Sequence, residues 1–211
     1  MSKITDLRIG RGGEKRINIF LDGRFAFSLS AEVAEREELQ IGQELSESQV
    51  QELTHSDQFQ RCLNAAYRYL GYRPRSEYEI RERMQRRGFS GEAIDAVIAR
   101  LKEQGLLDDA AFAKFWKENR ESFRPRSQWL TRSELKRKGV TTEVIDEVVD
   151  DMDDEDNAYR AAVQKTHHWK LADYQCFRRR LGDYLRRRGF NYGVINHTVE
   201  RIWQERGNSS G

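Results

Sequence analysis

The chain has 211 residues, of which 37% are hydrophobic and 34% charged, and its mean hydropathy is −0.87. That is too polar for one thick globular core, while 10% aromatic residues argue against disorder. The net charge of +2 hides an uneven spread, with seven bases and eleven acids in residues 1–57 against thirty and twenty-four in the remainder. A string of small helical units, each with a thin core, fits these numbers.

In chain order, residues 3–29 alternate in the manner of strands. Arg16-Ile17-Asn18-Ile19-Phe20-Leu21, Asp22-Gly23, then Arg24-Phe25-Ala26-Phe27-Ser28-Leu29 predict a hairpin, because an Asp-Gly pair suits a type I′ turn. Gly10-Arg11-Gly12-Gly13 is read as a turn after an earlier strand. Two short helices are expected at 30–41 and 46–55, the second opening on a Ser46…Gln49 capping box.

From Gln58 onward the chain repeats itself. Arg73-Pro74-Arg75-Ser76 recurs as Arg124-Pro125-Arg126-Ser127, and twelve residues past each serine stands a glycine, Gly88 and Gly139. With Gly189 as a third member the register holds without gaps: Met84, Leu135 and Leu185; Phe89, Val140 and Phe190; Ala93, Val144 and Val194; Ile94, Ile145 and Ile195. It continues through Val97, Val148 and Thr198; Ile98, Val149 and Val199; Leu101, Met152 and Ile202. Seven matched positions at helical spacing predict three helices per unit, near 58–71, 76–87 and 91–104, then 109–122, 127–138 and 142–153, then 156–171, 174–188 and 192–205. Ser76…Glu79 is an expected capping box, and the three glycines suit the left-handed position after a helix.

The fold class expected is therefore mainly α: three tandem helix-turn-helix-like repeats in an elongated array behind a small β-hairpin and helix extension. The boundaries are 1–57, 58–108, 109–155, 156–206 and a tail at 207–211.

Bases are concentrated in the second helix of each unit. Residues 124–138 hold six bases and one acid, and residues 178–188 six arginines and one aspartate. Cations in a last turn complement the helix dipole, which accounts for part of this. Helical phasing sets Arg86, Arg137 and Arg187, with Arg75 and Arg126, off the core face, where they form a surface for phosphate or acidic protein. Residues 143–156 are the opposite, with nine acids and no base. They lack the spacing and central glycine of a calcium loop and read as a solvated edge. Trp116 and Trp203 are expected in the core, as is Trp129, whose counterparts are Tyr78 and Arg179; base stacking is its alternative role.

Tyr72-Arg73-Pro74-Arg75-Ser76-Glu77, Arg86-Arg87-Gly88-Phe89-Ser90 and Gly105-Leu106-Leu107-Asp108-Asp109-Ala110-Ala111-Phe112-Ala113 closely resemble the first repeat of the bacterial RecX regulators. Arg124-Pro125-Arg126 with Glu134-Leu135-Lys136-Arg137-Lys138-Gly139 resembles their second, and Leu185-Arg186-Arg187-Arg188-Gly189-Phe190 their last. The third unit lacks the Arg-Pro-Arg-Ser opening. The likeness covers about 150 residues. It implies a non-enzymatic modulator of the RecA recombinase that binds the RecA–single-stranded DNA filament, inhibits it and contacts DNA.

The resemblance carries no fixed contact residues. The charge pattern instead assigns filament or DNA binding to Arg73, Arg75, Arg86, Arg124, Arg126, Arg132, Lys136, Arg137, Lys138, Arg178, Arg179, Arg186, Arg187 and Arg188. Single-stranded DNA is the expected nucleic acid, with duplex as a second candidate, and the protein is expected to be monomeric. No catalytic residue, cofactor or metal site is expected: His167 and His168 cannot share one helix face, and no nucleophile motif surrounds the other histidines. Cys62 and Cys176 stand alone, as in a reducing compartment. No apolar stretch is long enough for a signal or membrane segment, so a cytoplasmic location is expected. A stand-alone helix-turn-helix transcription regulator is the rival reading. It requires one dominant recognition helix and dimer symmetry.

Overall fold

The structure is a computed structural model, describing residues 1–10, 15–169 and 173–208. Most of the expected glycine-rich turn (residues 11–13), the last two residues of the helix expected at 156–171 and the end of the tail lie outside the described residues. The chain divides into two compact units, one made of residues 1–73 and 80–107, the other of residues 74–79 and 108–211.

In the first unit, β1 (Ser2–Ile9), β2 (Arg16–Leu21), β3 (Arg24–Ser30) and β4 (Glu44–Leu45) form an antiparallel sheet in the order β3-β2-β1-β4. The predicted hairpin is there: Leu21 faces Arg24, and Asp22 and Gly23 take φ of 48° and 79°. A short helix α1 (Ala31–Arg36) follows, capped by Ser30. The second expected short helix proves to be the start of α2 (Glu47–Leu70), which runs unbroken for 24 residues, roughly 36 Å. Its Ser46…Gln49 capping box is complete. Leu53 packs with Ile4, Ile19, Leu29, Val33 and Leu45 over the sheet. Cys62, Leu63, Ala65 and Ala66 pack against α3 (Glu77–Arg86) and α4 (Gly91–Glu103). One helix thus serves both cores. Asp57, near its middle, is buried and accepts the Ser30 N–H at 2.6 Å and the Arg16 guanidinium at 3.3 Å.

The second unit holds α5 (Asp109–Phe123), α6 (Gln128–Arg137), α7 (Thr142–Val149), α8 (Asp154–Thr166), α9 (Tyr174–Arg186) and α10 (Tyr192–Asn208). Around α5–α7 the core is Phe112, Ala113, Leu135, Val140, Ile145, Val148, Val149 and Met152, and around α8–α10 it includes Ala158, Phe177, Leu181, Leu185, Phe190, Ile195, Val199 and Ile202. All seven matched sets from the sequence are buried or half-buried. Gly88, Gly139 and Gly189 all adopt positive φ, at 81°, 77° and 87°.

Within this unit one joint occurs twice. Ser76 Oγ donates to the Lys138 carbonyl at 2.6 Å and also accepts the Glu79 N–H, the serine half of the expected capping box. Glu77 N donates to Asp109 Oδ1 at 2.8 Å. In the second copy Ser127 N donates to the Arg188 carbonyl at 3.0 Å and Gln128 N to Asp154 Oδ1 at 2.7 Å. The glycines are the close-approach points: a Cβ at Gly139 would lie 2.8 Å from Tyr78 Cγ, and one at Gly189 2.7 Å from Leu130 Cβ. The repeated serine and the repeated glycine are therefore two halves of one contact, each serine meeting the glycine turn of the following repeat.

Candidate functional site

The organiser of the basic surface is an acid. Glu134 on α6 is buried, with 7% of its surface exposed. Its Oε2 accepts Trp116 Nε1 at 2.8 Å and Arg120 Nε at 2.7 Å, while Oε1 pairs with the Arg126 guanidinium. A buried carboxylate needs such partners, since desolvation without them costs several kcal/mol. Arg126 is half-buried in this pair.

Burial lowers the Arg126 pKa, and so do, in decreasing order, Arg120, Arg188, Arg124 and Arg137. Four guanidinium groups thus lie close enough to Arg126 to act on it. Arg120 also lies over the Trp116 ring, 4.3 Å from its centroid. Arg188 donates to the Pro125 carbonyl at 2.8 Å and lies over Tyr184. Arg124 and Arg137 are exposed at the edge of the cluster. Half-buried and exposed cations close to one another make a concentrated positive potential, the arrangement that attracts phosphate or a carboxylate-rich surface.

Other expected site residues fall into two groups. Lys138 pairs with Glu79 at 2.7 Å and sits over the Trp116 ring, so it tethers the joint. Arg132 is tied to Asp146 and Asp150 on and beside α7. Arg75 and Arg126, placed on the solvent face by helical phasing, are half-buried because both precede their helices and turn inward there. Arg73 is half-buried too. Arg86, Lys136, Arg178, Arg179, Arg186 and Arg187 are exposed, with Arg86 paired to Glu82 and Arg186 to Asp183 along their own helices. Charge counting in the sequence missed Arg120 and Glu134. The signal available was Arg120 in the last turn of its helix, four residues before the repeated Arg124-Pro125-Arg126.

Trp129 is also corrected: it is 67% exposed rather than in the core, its ring edge flanking Gly189. Trp116 and Trp203 do pack against cores. The acidic run is more engaged than a solvated edge: Asp153 caps α8, Asp156 pairs with Arg160 at 2.9 Å, and Glu155 meets His197 at 2.8 Å. Among the described residues no group of His, Cys, Asp or Glu is placed to hold a metal ion, and no helix is long and apolar enough to cross a membrane.

Three family models match the chain in succession: the regulatory protein RecX N-terminal domain at 2–46, the first RecX three-helix domain at 62–101 and the second at 108–149. Regulatory protein RecX of Clostridium beijerinckii is 28% identical over 207 residues, 96% of each chain. That of Listeria monocytogenes serotype 4a is 30% identical over 77% of this chain, which spans 61% of its length. A crystal structure of regulatory protein RecX shares the fold, with a TM-score of 0.63 at 23% identity over 95% of this chain and all of the other. With those matches and the repeated joint beneath them, the chain belongs to the RecX family of regulatory proteins.

Proposed function

We propose that this protein regulates the RecA recombinase by binding the RecA–single-stranded DNA filament, and single-stranded DNA itself, through the arginine cluster of the second unit. The observation that carries this is the set of four guanidinium groups around Arg126, itself paired with buried Glu134. Buried Glu134 offsets part of the repulsion among these cations, and Arg124 and Arg137 are exposed to solvent. Family membership supports a regulatory role rather than a catalytic one. The protein acts in the cytoplasm as a monomer, inhibiting the DNA-dependent ATPase and strand exchange without chemistry of its own, and its repeats gain affinity by touching successive sites on a polymer.

The test is co-sedimentation with RecA filaments beside bare single-stranded DNA, coupled to the DNA-dependent ATPase. Enrichment on filaments with falling ATPase supports the reading. Sequence-specific duplex binding that leaves RecA untouched returns the protein to the transcription-regulator class.

A further inference from the structure

One paired position sets the third repeat apart from the first two. In the first, Arg81 on α3 meets Asp95 on α4 at 2.5 Å. In the second, Arg132 on α6 meets Asp146 on α7, with Asp150 as a further partner. Each pair ties the second helix of its repeat to the third. Counting from Gly189 in the same register, the third repeat carries Gly182 and Asn196 instead. Both partners of the clamp are gone at once.

What remains is an open groove of about 320 Å³ between α9 and α10. That volume is at the lower end of small-molecule sites, which run from roughly 300 to 1,000 Å³. Ile195 and Val199 are its buried apolar residues, half-buried Asn196 and Asp183 its amide and carboxylate. Arg178, Arg179 and Arg186 stand exposed around it, and Tyr192 is 72% exposed. Gly182 has no backbone reason to be glycine: its φ is an ordinary one, and an added Cβ would meet only Ile195 Cγ2, at the comfortable distance of 3.7 Å. A mid-helix glycine weakens a helix. Its effect here is to leave room.

We propose that this groove holds one nucleotide of a single strand, a proposal that rests on the reading that the second unit contacts single-stranded DNA. Ile195 and Val199 form an apolar floor, and exposed Tyr192 offers a ring for a base. Asn196 offers an amide for its edge, beside the Asp183–Arg186 ion pair. Arg178, Arg179 and Arg186 match the phosphate. An acidic peptide would use the arginines but would gain nothing from the apolar floor.

The internal repeats supply the test. Gly182→Arg combined with Asn196→Asp rebuilds the clamp of the other two repeats and fills the groove, with no change in net charge. Folding is checked by circular dichroism and thermal melting. Binding is measured with a labelled short oligothymidylate and with an abasic sugar–phosphate oligomer of equal length. The unaltered protein should prefer the base-containing strand by about tenfold, the scale of one stacked base. The double variant should bind both strands alike, at the abasic level. Equal binding of the two strands by the unaltered protein, or a preference that survives in the folded double variant, overturns the groove and leaves the arginine cluster standing. Absence of binding to either strand overturns both. An oligoglutamate peptide that binds the unaltered protein and is lost in the variant, with base preference unchanged, overturns the nucleotide in favour of an acidic partner.

Discussion

Asp154 Oδ1 accepts the backbone N–H of Gln128 at 2.7 Å, so the first residue of α8 caps the start of α6. Asp109 does the same for Glu77. Burial, then the neighbouring carboxylates of Asp153 and Glu155, push the Asp154 carboxyl above its ordinary 3.8, and the Gln128 N–H only partly opposes them. A titration followed by carboxyl NMR should place its midpoint above that value. Because the folded pKa is raised, this group favours the folded state most below 3.8, and that contribution fades as pH rises through the folded pKa. Asp154→Ala should lower stability at neutral pH by about 1 kcal/mol, the scale of a lost cap, in urea melts.

The glycines separate backbone strain from packing. Gly88→Ala faces open space and should cost only the left-handed penalty, about 1–2 kcal/mol. Gly139→Ala and Gly189→Ala meet Tyr78 and Leu130 as well, adding about 1–3 kcal/mol for overpacking. Equal losses at all three positions in parallel denaturant melts would contradict the joint.

Exposed and anchored cations should behave differently. Arg124, Lys136 and Arg137 changed together to alanine should alter stability by no more than about 0.5 kcal/mol each. The same variant should weaken binding to single-stranded DNA and reduce the salt slope by about 2, at roughly 0.7 per phosphate contact. Arg126→Ala instead strips a partner from buried Glu134 and should cost about 1–3 kcal/mol of stability. Thermal melts beside fluorescence titrations at several salt concentrations distinguish the two.

The cysteines report on the first unit. Burial raises the Cys62 thiol to about 11, whereas Cys176 is exposed on α9. At pH 8 iodoacetamide should label Cys176 alone in the folded protein, and Cys62 only once denaturant opens the core shared by α2, α3 and α4. Mass spectrometry of the two peptides gives the result directly.

The repeat was legible because its seven apolar positions fall at one helical phase in every copy, and the glycines mark its period. The continuity of α2 was hidden. Thr54-His55-Ser56-Asp57 reads as a polar break, yet Thr54 bonds back to Val50 and Asp57 is buried against the sheet, where its partners lie 27 and 41 residues away in sequence. The basic helices were visible as counts of charge. Which cations are anchored was not, since Glu134 has no counterpart acid in the other repeats and two of its partners, Trp116 and Arg120, come from a different helix. Trp129 was misplaced because a joint between repeats, rather than the interior of one, sets its surroundings.

The joint has a directional logic that bears on self-assembly. Each copy pairs a glycine turn with the serine-led helix start of the preceding repeat, and the turn at Gly88 faces open space. Were the third repeat to keep a serine-led start, one molecule could seat the Gly88 turn of another, and the contact would propagate head to tail without closing. The position matching Ser76 and Ser127 is instead Phe177, and α9 extends a turn further, bringing Tyr174 and Phe177 against Trp203 with ring centroids 5.2 and 5.3 Å apart. Aromatic side chains packed on Trp203 thus stand where the first two repeats carry their serine, and the third repeat has no serine-led start to offer a following glycine turn.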